Sequence, residues 1–446
     1  MNLENLKKIL KDCGVAGAGG AGFPTYAKLD SRADTVILNC AECEPLFKVH
    51  RQLLQTYAHE IVKTLDKITE ILGAKQFIVA VKKEYKLAAK AAQAEVENYS
   101  RGSVFLLGEF YPAGDEVVTI YETTGRRVPA GNIPISVGVI VLNTETVLNA
   151  YFAMETGMGV SFKHVTVAGA LKNPSTVRVP IGTSFKELIE FCGGYNGNAE
   201  DFSIICGGPM TGLLADETQT VTKTTNGVIV LPCDHQIVSA RKVRSDVAIN
   251  RAKSACCQCR SCSDLCPRTL LGQPVNPHDF MRALSSGADI NTKVMTNALY
   301  CVSCGVCELY ACPQGLSPRS LITEFKQKMA QNGVKPQMLS QPGEDVSFAR
   351  DMRRIPMNRL KQRLALMPYD IDAPLNDKFK NPKRLKLALS QHIGAPAQAV
   401  VKKGDKVSAN TVIATAKNDA LSLPVHSPLD GTVKEVTDKY VVIEVD

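Results

Sequence analysis

Eight cysteines crowded between residues 256 and 312 constrain this 446-residue chain more than any other feature. They read Cys256-x2-Cys259-x2-Cys262-x3-Cys266-Pro267 and Cys301-x2-Cys304-x2-Cys307-x4-Cys312-Pro313. Each short-spaced trio can wrap a cube of iron and sulfide. Structural zinc would take four cysteines as two pairs, not as two trios each trailed by Cys-Pro. Disulfides require an oxidising compartment, and Met1-Asn2-Leu3-Glu4 lacks the basic-then-apolar layout of a signal peptide. The second motif has four residues before its last cysteine where the first has three, and Cys257 is a spare thiol read as a bystander.

The run resembles that of the two-cluster bacterial ferredoxins, in which the fourth cysteine crosses to the partner cluster. That resemblance assigns Cys256, Cys259, Cys262 and Cys312 to one [4Fe-4S] cluster, and Cys301, Cys304, Cys307 and Cys266 to the other. Arg260 and Arg268 stand where they offset the charge of thiolate-ligated clusters, or serve as ordinary surface arginines. The connector Asn276–Ala298 and the charged stretch Pro318–Asn332 read as helices.

The other seven cysteines (Cys13, Cys40, Cys43, Cys192, Cys206, Cys233 and Cys257) are an odd, scattered set that fits reduced thiols in a cytosol. The longest apolar run, Ile133–Leu142, is about half a membrane span. The expectation is a cytoplasmic protein that meets a membrane only through a partner. Of the net charge of +8, +7 falls between Arg350 and Lys386, where eleven Lys/Arg face four Asp. That segment has no nucleic-acid fold motif, so nucleic acid is not an expected partner. It reads as a solvated linker, or as a docking strip for an acidic partner or phosphate.

Leu3, Leu6, Leu10 and Cys13 recur at helical spacing and Gly14 closes that helix. Gly14-Val-Ala-Gly17-Ala-Gly19-Gly20-Ala-Gly22-Phe23-Pro24-Thr25 follows, then Lys28. Such glycine density lets backbone N–H groups approach an anion or a flat ring. It is neither a Walker loop nor a dinucleotide fingerprint, lacking the GK[ST] ending and a preceding strand. Strands at Thr35–Leu38, Phe77–Val81, Val104–Leu107 and Val137–Leu142 alternate with helices near Gln52–Leu72 and Tyr85–Glu97. That rhythm predicts a mostly parallel sheet with ligands at its carboxyl ends.

At those ends the residues carry a second resemblance. The GAGGAGFPT loop with its lysine, the Asn39…Glu42-x-Glu44-Pro45 turn, the Tyr111…Gly114-x-Glu116 turn and Asn143-x-Glu145-Thr146 occur in this order. They resemble the flavin-carrying, NADH-oxidising subunit of respiratory complex I. Ala41-Glu42-Cys43-Glu44-Pro45 is more similar to the RnfC component of the Rnf complex. In domain order the chain is most similar to the cobalamin reductases of propanediol-utilising microcompartments. The resemblance implies that Gly17, Gly19, Gly20, Gly22 and Lys28 cradle FMN and its phosphate. Asn39, Glu42, Gly114 and Asn143 would touch the flavin, with Glu44, Tyr111 and Glu116 on the nicotinamide side. Ala18 and Ala41 depart from the complex I pattern, which has arginine and aspartate there.

From His164 to Pro232 the chain is β-rich and resembles the soluble-ligand-binding β-grasp module of the same family, here read first as a spacer. The tail from Gln391 resembles a biotinyl/lipoyl-like barrel-sandwich domain, with Ala420 where the modifiable lysine would fall, so biotin and lipoate are not expected.

The fold class expected is therefore multidomain α/β. Residues 1–160 form an FMN/NADH-binding α/β domain and 161–235 a β-grasp domain. Residues 245–335 form an α-helical ferredoxin-like two-cluster domain, 336–388 a basic linker and 389–446 a barrel-sandwich hybrid.

NADH delivers two electrons at once, each cluster passes one, and a flavin reconciles the two. The resemblance implies a flavo-iron–sulfur oxidoreductase with NADH as substrate, FMN and two [4Fe-4S] clusters, and cob(II)alamin as acceptor in support of a B12-dependent dehydratase. It would work in the cytoplasm or inside a bacterial microcompartment, with shell or homo-oligomer contacts. Rivals are an Rnf-type electron-transport protein and a non-enzymatic relay docked to a partner. No Asp-x-His-x-x-Gly corrinoid run occurs in the chain.

Overall fold

The computed structural model describes residues 1–286 and 292–446. The N-terminal part is built on four parallel strands: β1 (Thr35–Cys40), β2 (Gln76–Lys82), β3 (Gly102–Leu107) and, beyond the short β4 (Phe110–Tyr111), β5 (Val139–Asn143). Every residue of β1 is buried, as befits a near-continuous apolar run covered by helices on both faces. The helices are α1 (Leu3–Asp12), α2 (Thr25–Lys28), α3 (Val49–Thr56), α4 (Ala58–Leu72), α5 (Lys86–Val96), α6 (Glu116–Thr124) and α7 (Thr144–Thr156). The single helix expected over Gln52–Leu72 is two helices, because Tyr57 leaves the helical region at φ −120°, ψ 35°. On α4, Ile61, Val62, Leu65, Ile68 and Leu72 face inward at three-to-four spacing, and Gly73 ends the helix in the left-handed conformation.

The strand order is β3-β2-β1-β5. The chain steps outward from β1 to β3 and then returns to the other side of β1. The reversal makes the gap between β1 and β5 a topological switch point, where open α/β sheets bind ligands beyond the strands' carboxyl ends. Asn39 and Asn143 are aligned partners there.

The β-grasp module follows: β6 (Phe162–Gly169), β7 (Ser175–Pro180), α8 (Phe185–Phe191), β8 (Phe202–Cys206), β9 (Leu213–Ala215) and β10 (Gly227–Pro232), ordered β7-β6-β10-β8-β9. A capping box between Ser184 and Glu187 starts α8. The cysteine motifs lie among short helices running from Ser245–Ala255 to Pro318–Gln331. The helical connector expected over Asn276–Ala298 is realised at Pro277–Ser286 and Thr292–Asn297; its residues 287–291 lie outside the described residues.

The segment 336–388 is not a solvated linker. Ile355–Pro356 pairs antiparallel with β4, Leu375–Asn376 adds a parallel strand beside β7, and Arg384–Ala388 is already a strand of the terminal barrel. Several of its charges are used internally: Arg350 and Arg354 both pair with Glu122, and Lys361 with Asp370 at 2.6 Å. The barrel joins sheets of four and three strands. Its Leu385, Leu387, Ile413, Val441 and Ile443 belong to the same buried cluster as Leu6, Val36, Leu65 and Leu142. The barrel is thus packed into the flavin-domain core. Among the described residues no helix is long and apolar enough to cross a membrane.

Candidate functional site

The two cysteine trios fold alike. Gln258 and Arg260 in the first, and Ser303 and Gly305 in the second, hold positive φ at equivalent places (56° and 63°; 55° and 83°). For the three non-glycine residues this backbone is unfavourable by about 1 kcal/mol or more each. It curls each loop so that its thiols face one side.

The extra residue of the second motif also has a structural home. Cys262-x3-Cys266 is bridged by an α-turn, Ser261–Asp264, whereas Cys307-x4-Cys312 is bridged by a π-helical turn, Val306–Ala311. A π-turn takes up one more residue than an α-turn, so the fourth cysteine is delivered despite the longer spacing.

Cys256, Cys259, Cys262 and Cys312 line one cavity, and Cys266, Cys301, Cys304 and Cys307 another. Burial pushes the Cys262 thiol up to about 12, with Cys312 its foremost repelling neighbour, and Cys304 is likewise raised by burial and by Cys266. Sequence-distant cysteines are therefore spatial neighbours in the crossed arrangement. Among the described residues no three Cys, His, Asp or Glu side chains converge tightly enough for a single ion. Two cavities, each lined by the four cysteines of one crossed set, suit two cubanes. The Ser303 N–H donates to Cys301 Sγ at 3.3 Å and the Leu316 N–H to Cys312 Sγ at 3.4 Å, the kind of contact that tunes cluster potential.

The quartets differ in surroundings. Cys266, Cys301 and Cys307 are buried, whereas Cys259 and the neighbouring Cys257 are exposed. The buried quartet abuts the flavin domain. The Tyr111 hydroxyl donates to the Cys304 carbonyl at 2.6 Å, and Arg268, which lines that quartet, pairs with Asp115 at 2.8 Å. Asp115 also caps α6 through the Val117 and Val118 N–H groups. Arg260 lines the outer quartet. Asp115 is a site residue that sequence reasoning misses; its position as a helix-capping aspartate before Glu116-Val-Val is the available signal.

At the switch point the glycine loop is anchored by the Ala18 N–H donating to Thr146 Oγ1 at 2.9 Å and Gly17 N–H to the Phe23 carbonyl at 2.9 Å. A Cβ on Gly19 would sit 1.8 Å from Asn143 Nδ2, so that side chain lies directly against the loop. A Cβ on Gly20 would meet nothing within 4 Å: the loop opens there. Gly22 instead packs against Thr224 and the barrel's His392. Across the crevice Asn39 Nδ2 donates to the Gly114 carbonyl at 2.8 Å, and a Cβ on Gly114 would overlap the Ala41 carbonyl oxygen at 1.9 Å. Lys28 and Glu116, expected on the phosphate and nicotinamide sides, form an ion pair at 3.0 Å. An open glycine lip flanked by two asparagines and a partly exposed cation suits a phosphorylated flavin.

Three expected contacts are engaged elsewhere. Glu42 accepts from the His50 N–H at 2.9 Å and meets Arg51, so its carboxylate serves the first turn of α3. Glu44 accepts from Met210 and Thr211 N–H at 2.7 and 2.9 Å, locking the β-grasp loop to the flavin domain. Burial raises its carboxyl above the usual range, against the hydrogen bond from Thr211. Tyr111 serves Cys304, as described. Beneath them lies a buried network in which Glu145 accepts from Lys163 and from both His164 N–H and Nδ1.

Four family matches lie along the chain: a Nuo51 FMN-binding domain over 10–151, an SLBB domain over 164–214, a 4Fe-4S dicluster domain over 255–317 and an RnfC barrel sandwich hybrid domain over 373–445. The barrel match begins well before residue 389, in agreement with the Arg384–Ala388 strand. A component of the Na(+)-translocating ferredoxin:NAD(+) oxidoreductase complex of Acetobacterium woodii is 33% identical over 62% of this chain and 60% of its own. Cobalamin reductase PduS of Salmonella typhimurium is 35% identical over 99% of this chain and 97% of its own, and that of Citrobacter freundii 37% identical over 99% and 96%. With both alignments running through the flavin, β-grasp, dicluster and barrel parts, the chain belongs to the PduS cobalamin reductase family.

Proposed function

We propose that this chain is an NADH-dependent oxidoreductase that carries electrons through FMN and two [4Fe-4S] clusters to cob(II)alamin. One observation carries the path: the buried quartet is bonded to the flavin domain by Tyr111 and Arg268, while the other quartet has three half-buried cysteines and the exposed Cys259. The order is therefore flavin, inner cluster, outer cluster, acceptor. When bound, FMN would supply the exchange between a two-electron hydride donor and one-electron clusters. One NADH then reduces two cob(II)alamins to cob(I)alamin, leaving NAD+ and a proton.

The protein's part is positioning. Gly17, Gly19, Gly20 and Gly22 shape the flavin lip, Lys28 faces its phosphate, and Asn39, Gly114 and Asn143 border the ring; Glu116 serves the nicotinamide side. Glu42, Glu44 and Tyr111 hold α3, the β-grasp loop and the inner cluster in register with that site. Cobalamin enters through the relatives' activity, and the cytoplasm or a microcompartment interior, with shell or self-contacts, is the setting that goes with it.

A non-enzymatic relay is favoured by the engagement of Glu44 and Tyr111 away from the nicotinamide side. Anaerobic protein loaded with FMN separates the two. Bleaching of the flavin by NADH with formation of cob(I)alamin supports the reductase. Bleaching by reduced ferredoxin but not by NADH supports the relay.

A further inference from the structure

His50 is the second residue of α3, and its backbone N–H is held by Glu42. Its ring is 7% exposed, and Nε2 has no hydrogen-bond partner among the described residues. Leaving a ring nitrogen buried and unsatisfied is unfavourable by about 1–3 kcal/mol, so such an atom calls for an explanation. The ring reaches the glycine loop: Cε1, the carbon between its two nitrogens, lies 3.1 Å from where a Gly19 Cβ would stand, beside Asn143. That is the flavin lip. Of the other histidines with a buried unpaired ring nitrogen among the described residues, His164, His235 and His278 belong to other modules or networks, and His426 of the barrel meets the start of the loop, its Cε1 3.7 Å from where a Gly14 Cβ would stand, away from Gly19.

Charges around the ring come from several elements. Burial lowers the imidazole's pKa; Glu42 and Glu145 act against that and Lys163 with it. The ring is thus neutral, with a buried, unpaired Nε2 one bond from the carbon that touches the lip.

We infer that His50 Nε2 is a direct contact for the bound flavin, completing its hydrogen bonds when the lip at Gly19 and Asn143 is filled. This rests on the flavin reading of the site. It adds a histidine to a cradle otherwise made of glycines and asparagines, and it places the start of α3 in the floor of the site.

The test measures FMN affinity by fluorescence quenching on protein stripped of flavin, for the full chain and for His50→Leu and His50→Gln, alongside thermal stability of the flavin-free forms. His50→Leu should bind FMN roughly tenfold more weakly, the loss of about one hydrogen bond. The same variant should melt no lower than the parent, because an unsatisfied polar atom has been removed. His50→Gln, which restores a polar atom at that depth, should recover most of the affinity. Unchanged FMN affinity in His50→Leu, with the parent binding FMN normally, overturns the inference and leaves the ring a packing residue. Absence of FMN binding by the parent overturns the flavin reading and the inference with it.

Discussion

The seat between the flavin domain and the inner cluster lends itself to a double-mutant cycle on Arg268 and Asp115. Their side chains are 8% and 13% exposed and meet at 2.8 Å. Breaking a buried pair by removing one partner costs about 3–5 kcal/mol, mostly from the charge left behind. In Arg268→Met the orphaned carboxylate keeps its two helix-cap bonds at 3.1 Å, so the loss belongs near the lower end, about 3 kcal/mol. Asp115→Asn keeps a capping oxygen but turns an amide toward the guanidinium, and a loss of about the same size is expected. In the double variant neither charge is stranded, so its loss should fall short of the sum by at least about 1 kcal/mol. Urea unfolding of anaerobically loaded protein reads this out, with flavin fluorescence following one side of the seat and cluster absorbance the other. Single losses that add within about 0.5 kcal/mol would show that the two residues do not act as a pair. Flavin-to-cluster transfer should slow in either single variant, because the seat fixes the distance between the centres.

Four further outcomes follow from the same geometry. Cys312→Ser should alter the paramagnetic signal of the cluster held by Cys256, Cys259 and Cys262, and a change confined to the Cys301 trio would mean uncrossed binding. Gly20→Val should lose FMN while keeping both clusters and its melting temperature, since the new side chain enters open space; retention of flavin would move the cradle elsewhere. Glu44→Gln should loosen the β-grasp loop at Met210 and Thr211 by about 1–3 kcal/mol with little change in KM for NADH. Glu116→Gln should raise that KM, and a reversed pattern in steady-state kinetics would return Glu44 to the nicotinamide side.

What is legible in the sequence follows from how local each signal is. The cysteine motifs, the buried run at Thr35–Leu38 and the one expected over Val137–Leu142, whose strand begins at Val139 after a 3-10 turn, declare themselves within a few residues, and the parallel sheet rests on them. The segment 336–388 misleads because its order comes from two-residue pairings such as Ile355–Pro356 with Phe110–Tyr111. Such pairings leave no periodicity, and the segment's arginines find acids far away in sequence, as Arg350 finds Glu122. Glu42, Glu44 and Tyr111 fall in the expected neighbourhood, but the direction of each side chain is set by α3, the β-grasp loop and the Cys304 carbonyl. The four-residue spacing before Cys312 reads as a departure and is a π-turn. His50 carries no motif, and only the buried, unpaired ring beside Gly19 draws attention to it.

The most direct test of the central claim is the composition of the anaerobically purified full chain. Quantifying iron, acid-labile sulfide, flavin and zinc on one sample should give about eight irons and eight sulfides, four of each per cubane, with about one FMN per chain after flavin loading. One or two zinc ions without sulfide, or iron and sulfide near four each, would contradict the paired quartets on which the electron path depends.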